Sequence, residues 1–399
     1  MRKRGISLLF IVIFVLSLVS CGVSSSDMDD YVTNKDYSNK SQTENVQLTE
    51  TKAGTKVIKK ENLKIGVLYI GSAQDTSGYT YEHELGISQM INNIGLQNNQ
   101  VIRKESINDG DKKAIDKALD ECISEGCNVI IGTSWGYMDE MSTYSEKYPD
   151  IYFSHGTGYK SNGKNFTNYF GRIYQARYLS GIVAGLKTKT NKIGYVAAQG
   201  TDNSEVTGGI DAFALGVESV NKDAKIYVKV THSWYDPEGE DKASVELLNK
   251  GCDCLAQHCD TTAPQVEAEK HGVWAIGYNS DMSKETPNAT LTSVLWSWSA
   301  YYTSYIQSII EGSYDGSNYF EGMNVGLVGL ADLSDLNDSK AEDLVNKAKE
   351  KIVDGSFNVF DGELKTNTGK IIGENGKTLD DKTITGGIDW YYQNVELID

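Results

Sequence analysis

Large aromatic residues recur in this sequence beside short apolar runs, in company with amides and carboxylates. Tyr79 follows the run at 65–70, Trp135 the run at 128–132, Trp234 the run at 225–230, and Trp296 the run at 290–295, while Phe170 lies in the stretch 166–171. Asp75, His258, Asn279 and Asp281 occupy the same kind of position, with Asp260 close to His258. Large rings are costly to leave in water unless they fold under or face a ligand. Flat stacking surfaces combined with a few amide and carboxylate groups suit a planar heterocycle with donors and acceptors on its edge. Core packing is the competing reading for each ring, and a helix N-cap is the competing reading for Asp260 or Asp281.

The elements that must hold these residues alternate between strand and helix. The pattern predicts strands at 65–70, 101–102, 128–132 and 151–154, with helices at 82–94 and 112–125; residues 166–171 cross over to a helix at 174–187. It then starts again: strands at 192–197, 225–230, 253–257, 273–278 and 290–295 interleave with helices at 205–220, 242–250 and 264–271. A helix at 301–311, a strand at 324–329 and a helix at 339–354 complete the reading. Alternation of this kind marks a parallel sheet covered by helices, and ligands sit at the carboxyl ends of such strands. Two runs of like topology imply two lobes, and a late helix returning to the first lobe implies several crossings, hence a hinge.

Catalytic patterns are wanting. There is no Gly-x-Ser-x-Gly, no phosphate loop, and the five His are scattered without carboxylates at metal-ligand spacing. Cys252, Cys254, His258 and Cys259 lie close together, but a tetrahedral site would need a second loop, so the reading is core packing with no metal and no cofactor. Cys122 and Cys127 close a helix-to-strand turn and are near enough in sequence to pair.

Arg2, Lys3 and Arg4 precede an apolar segment, 6–19, that is too short to span a bilayer and has the flanks of a signal peptide. It ends Leu18-Val19-Ser20-Cys21, which resembles a bacterial lipobox and implies a signal peptide over 1–20, with Cys21 acylated, palmitate included. Residues 22–60, rich in Ser, Thr, Asn and Lys, read as a flexible tether. The formal charge is −17, and loss of Arg2, Lys3 and Arg4 with the leader takes it to −20. Such a surface repels phosphate backbones and argues against nucleic-acid binding.

From Lys64 to about Leu333 the chain resembles the basic membrane lipoprotein family of substrate-binding proteins, which serve ABC importers. The likeness rests on Asp75 through Gly86, Gly132 through Asp139, Phe153 through Tyr159, Arg172 through Gly185, Asn191 through Tyr195, Ser233 through Pro237, and Gly277 through Met282. It implies an α/β type I periplasmic-binding fold with two Rossmann-like lobes, placed at 62–169 with 297–322 and at 170–296 with 323–399. The implied partner is a membrane permease, with the protein a lipid-anchored monomer on the extracytoplasmic face of a bacterial, Gram-positive cell.

Nucleoside-binding members of the family hold ribose with an Asp and a Lys, where this chain has Asn279 and Trp296. The resemblance therefore points to the nucleobase-binding branch, with adenine the expected ligand. It implies ligand-binding roles for Asp75, Tyr79, Trp135, Phe170, Trp234, His258, Asn279, Asp281 and Trp296. Thr80 stands where the family usually has an Asn. The alternatives are a purine nucleoside receptor of the same family, or a surface lipoprotein with an adhesion or signalling role; a nucleoside-cleaving enzyme has no supporting motif.

Overall fold

The computed structural model describes residues 48–398. The apolar leader, Cys21 and most of the tether lie outside the described residues. Strands β1 (Ile65–Leu68), β2 (Val101–Lys104), β3 (Val129–Gly132), β4 (Tyr152–Gly156) and β5 (Phe166–Gly171) belong to the first half of the chain. Strands β6 (Lys192–Ala197), β7 (Lys225–Val230), β8 (Cys254–His258), β9 (Trp274–Asn279) and β10 (Thr290–Trp296) follow. Short strands complete the set: β11 (Tyr319–Glu321), β12 (Val328–Leu330), the antiparallel pair β13 (Leu364–Lys365) and β14 (Ile371–Ile372), and β15 (Val395–Leu397).

These strands build two main sheets, in the orders β11-β5-β4-β3-β1-β2 and β12-β10-β9-β8-β6-β7-β15. The first is parallel throughout. The second is parallel except for β12, which runs antiparallel to β10. β1 (Ile-Gly-Val-Leu) and β3 (Val-Ile-Ile-Gly) are buried at every residue, as expected of strands covered on both faces.

The helices are α1 (Gly78–Ile94), α2 (Lys112–Ser124), α3 (Met138–Lys147), α4 (Ile173–Lys187), α5 (Ser204–Val220), α6 (Pro237–Asn249), α7 (Ala263–Lys270), α8 (Ser299–Glu311), α9 (Ser339–Val353) and α10 (Asp381–Gly386). Local chemistry sets their ends. Asp111 caps α2 by accepting from Lys113 and Ala114 N–H, Asn203 caps α5 through Val206 N–H, and Gly95 ends α1 in the left-handed region at φ +72°. α4 and α5 cross at close range because Gly181 and Gly216 have no side chain; a Cβ there would run into the carbonyl oxygens of Phe213 and Tyr178.

Several expected boundaries move. Residues 166–171 are themselves strand β5, and the chain leaves the first sheet only at Arg172. α6 starts at Pro237 rather than 242, because Asp236 caps it and Pro237 fits its first turn. The strand expected at 324–329 shrinks to β12, preceded by a 3-10 turn at Met323–Val325, and β11 forms ahead of it where no strand was expected. The chain thus passes between the sheets after β5, after β10 and after β11. α8 returns to pack on α1, where Gly86 lies against Trp298 and Ser299. Beyond 354 the pattern carries no expectation, yet β15 adds a parallel strand to β7, pairing Val395 with Ile226. Among the described residues no helix is long and apolar enough to cross a membrane.

Candidate functional site: a cleft between two sheets

The loops at the carboxyl ends of the two sheets face each other. Gly78, at the start of α1, donates its N–H to the Ser280 hydroxyl, just past β9, at 3.1 Å. Tyr79 is half-buried beside this contact and gives its hydroxyl to the Thr133 carbonyl at the end of β3. Burial raises its phenol well above the ordinary value, and Tyr169, Glu205 and Asp260 add to the effect.

An aromatic column runs from the second sheet into the first. Trp296 stacks on Trp298 with centroids 4.3 Å apart and planes 10° from parallel. Trp298 stacks in turn on the His83 imidazole at 4.6 Å, and the Tyr79 ring meets His83 edge-on at 4.5 Å. His83 is locked from behind: its Nδ1 and the Tyr302 hydroxyl are 2.6 Å apart, and Tyr302 is 2.9 Å from the Tyr169 hydroxyl. Burial pulls the imidazole down to about 3, so it is neutral. Phe170 packs on Trp296 at 5.3 Å, and the Trp296 indole N–H reaches the Tyr278 hydroxyl at 3.2 Å.

The opposite wall is polar. His258 ends β8 and is wholly buried; its ring meets Tyr278 at 4.8 Å and Trp234 at 5.9 Å, both edge-on. Among the described residues neither of its ring nitrogens has a hydrogen-bond partner, and Nε2 stands 3.6 Å from a Glu205 carboxylate oxygen. Gly209 of α5 makes room for the ring, since a Cβ there would lie 2.9 Å from it. Asn279, buried and held at φ +66°, donates its amide to Asp260 Oδ1 at 2.8 Å. Burial pushes both Glu205 and Asp260 up to about 7; Arg177 works against the shift at Glu205, and the Asn279 bond works against it at Asp260. Behind them Arg177, fully buried, donates to the Gln257 carbonyl at 2.5 Å and lies over the Tyr278 ring at 4.0 Å.

The structure therefore brings together Tyr79, Phe170, Trp234, His258, Asn279 and Trp296. The other three expected residues are open to solvent. Asp75 is exposed. Trp135 is 56% exposed, and among the described residues no ring pairs with it. Asp281 is exposed and accepts from Ser283 N–H at 3.0 Å, capping a turn where a helix N-cap was the competing expectation. The cysteines divide between packing clusters: Cys254 lies on one face of its sheet, and Cys252 and Cys259 on the other.

Glu205, Arg177, His83 and Ser280 were missed. Glu205 had the right address, the loop after a strand, but was absorbed into the helix it begins. Arg177 is a lone charge in the apolar run Ala-Arg-Tyr-Leu-Ser-Gly-Ile-Val-Ala-Gly, a signal that something polar lies behind that face.

Two α/β lobes joined by repeated crossings, with aromatic and polar groups at their facing strand ends, define a class of solute-binding receptors. The chain belongs to the Bmp family, whose model, described as an ABC transporter substrate-binding protein, PnrA-like, matches residues 26–361. It is 32% identical over 336 residues to a protein of Brucella abortus (strain 2308) named purine-binding protein, an alignment covering 84% of this chain and 93% of the relative. It is 37% identical over 235 residues to a Haloferax volcanii protein named for glucose binding in an ABC transporter, covering 59% of each. In fold it is similar to a solute-binding protein of Aeropyrum pernix K1, with a TM-score of 0.63, 16% identity, and coverage of 74% of this chain and 92% of that one. A transcriptional activator of the comK gene from Bacillus halodurans gives a TM-score of 0.65 at 21% identity, over 74% and 99%. The fold is thus the type I periplasmic-binding fold, and the protein is an ABC transporter substrate-binding protein.

Proposed function

We propose that this protein captures a purine nucleobase, adenine before others, in the cleft between its lobes and presents it to a membrane permease. In this reading Tyr79, Phe170 and Trp234 wall the base, and His258 and Asn279 are among the groups that read its edge. Acylated Cys21 holds the protein to the extracytoplasmic face of a cell membrane.

The observation that carries the choice of base over nucleoside is the setting of Trp296. Its ring is only 3% exposed, stacked on Trp298 and tied to Tyr278. An indole so engaged supplies no ammonium for a ribose and fills volume that a sugar would need. The aromatic column and the orphaned polar atoms of His258 and Asn279 support a flat ligand with hydrogen-bonding edges. The name of the Brucella relative points the same way.

Native mass spectrometry and calorimetry of the purified protein against adenine, adenosine, guanosine, riboflavin and glucose test this reading. Adenine is expected to bind at least tenfold more tightly than adenosine, and to weaken in Trp234→Ala. Equal or tighter adenosine binding overturns the choice of base, and glucose binding alone would move the assignment to the sugar named for the Haloferax relative.

A further inference from the structure

The polar wall of the cleft is built from acceptors. Glu205 stands 3.6 Å from His258 at the end of β8, and Asp260 follows two residues later, its carbonyl oxygen 3.3 Å from where a Cβ on Gly78, the neighbour of Tyr79, would lie. Asp260 spends one oxygen on Asn279. Among the described residues, the Glu205 carboxylate accepts no hydrogen bond and has only His258 Nε2 at 3.6 Å. Beside them the amide oxygen of Asn279 and both ring nitrogens of His258 are buried without partners among the described residues. His258 is no counter-charge, because burial, helped by Arg177, holds its imidazole neutral. Arg177 is set behind Tyr278 and donates to a backbone carbonyl, and among the described residues it forms no ion pair. The Glu205 side chain keeps 19% of its surface exposed, so closure over a ligand takes its carboxylate out of water without a donor, and a ligand that brings N–H groups removes that cost.

We propose that Glu205 and Asp260 are specificity-determining residues of the cleft, selecting flat, uncharged or cationic heterocycles that present N–H donors and rejecting oxidised rings that carry negative charge. The inference rests on the purine reading and narrows it to amino-substituted bases. An amino-substituted base brings separate donors, in adenine the exocyclic N6 amine and the ring N9–H, which two carboxyls set apart can accept one each. A ring that ionises near neutral pH brings a like charge toward an amide oxygen and two carboxyls that, pushed up to about 7, lose their protons over the same range, and like-charge contacts in a desolvated site are strongly disfavoured.

The test is calorimetry on the purified protein with adenine, 2,6-diaminopurine, xanthine, urate and, as a donor ring of another size, cytosine. Adenine and diaminopurine are expected to bind at least a hundredfold more tightly than xanthine or urate. Glu205→Gln with Asp260→Asn is expected to narrow that ratio at least tenfold. Should the double variant unfold, Glu205→Gln alone carries the test, because the carboxylate it replaces accepts no hydrogen bond from any described residue. Xanthine or urate binding as tightly as adenine overturns the proposal, as does a ratio unchanged in the variant. If no purine binds but cytosine does, and weakens in Glu205→Gln, the purine reading falls while the donor rule stands. If no ring binds, both fall.

Discussion

The backbone N–H of Gly78 and the hydroxyl of Ser280 meet at 3.1 Å in a place closed to solvent; one opens the helix that follows β1 of the first sheet, and the other follows β9 of the second. Gly78 holds φ +81°, and a Cβ added to it would stand 3.3 Å from the Asp260 carbonyl oxygen. The contact ties the first turn of α1 to the polar wall of the cleft.

Replacing Gly78 with Ala is therefore expected to strain the contact while leaving each sheet intact. A left-handed non-glycine residue costs about 1–2 kcal/mol, which corresponds to roughly tenfold or more in affinity if closure bears the loss. Calorimetry should show that weakening, and small-angle scattering a larger radius of gyration with ligand bound. Unchanged affinity would mean that the contact plays no part in closure.

Trp296→Ala removes a buried indole from a stack at 4.3 Å and frees the Tyr278 hydroxyl. A truncation of this kind costs about 3–5 kcal/mol, so the melting temperature should fall by well over five degrees. The near-ultraviolet dichroism from the paired indoles should vanish with it. Retention of that signal would place its source elsewhere.

Asp211 in α5 is fully buried, with one oxygen accepting Tyr392 N–H at 2.7 Å and the other without a partner among the described residues. Burial raises its carboxyl well above 3.8, with the Tyr392 bond opposing. A raised acid holds its proton more tightly folded than unfolded, so its contribution to stability declines as pH rises from the unfolded value toward the folded one. An asparagine in its place cannot ionise and keeps the acceptor. Asp211→Asn should melt a few degrees above the parent at about pH 8, the gap closing below about pH 4. A gap that is constant across pH would show that ionisation is not its source.

Ending the chain after Glu363 would remove β13, β14, α10 and β15, along with the buried side chains of Ile388, Tyr391, Tyr392 and Val395. The edge of β7 would be left bare, and exposed parallel edges invite aggregation. The truncated protein is expected in the insoluble fraction, or folded with a melting temperature lower by ten degrees or more. A soluble product with the parent's melting temperature would make this segment a mere appendage.

The alternation of apolar runs and amphipathic helices was enough to read the inner strands of both sheets, because strands such as β1, β3 and β8 are buried at every residue. β11, at Tyr319–Glu321, was not legible: three half-buried residues have no period to detect, and only β5 beside them makes them a strand. At the cleft, His258 and Asn279 were legible because each is the last residue of a strand, and Tyr79 because it stands at the start of the helix that follows β1. Glu205 and Arg177 lie inside helices, and their meaning depends on which face turns toward the cleft, a matter of packing. Trp135 passed the same positional test as Tyr79, yet it is 56% exposed while Tyr137, two residues on, is wholly buried.

β15 joins β7 from far along the chain, Val395 pairing with Ile226. The second sheet therefore keeps one open side while every residue between them is being made, however quickly those residues collapse. Until Val395 through Leu397 arrive, the chain stays in a form that can still be held, threaded or degraded. A break anywhere in that interval leaves the same mark, a bare strand at the edge of the sheet.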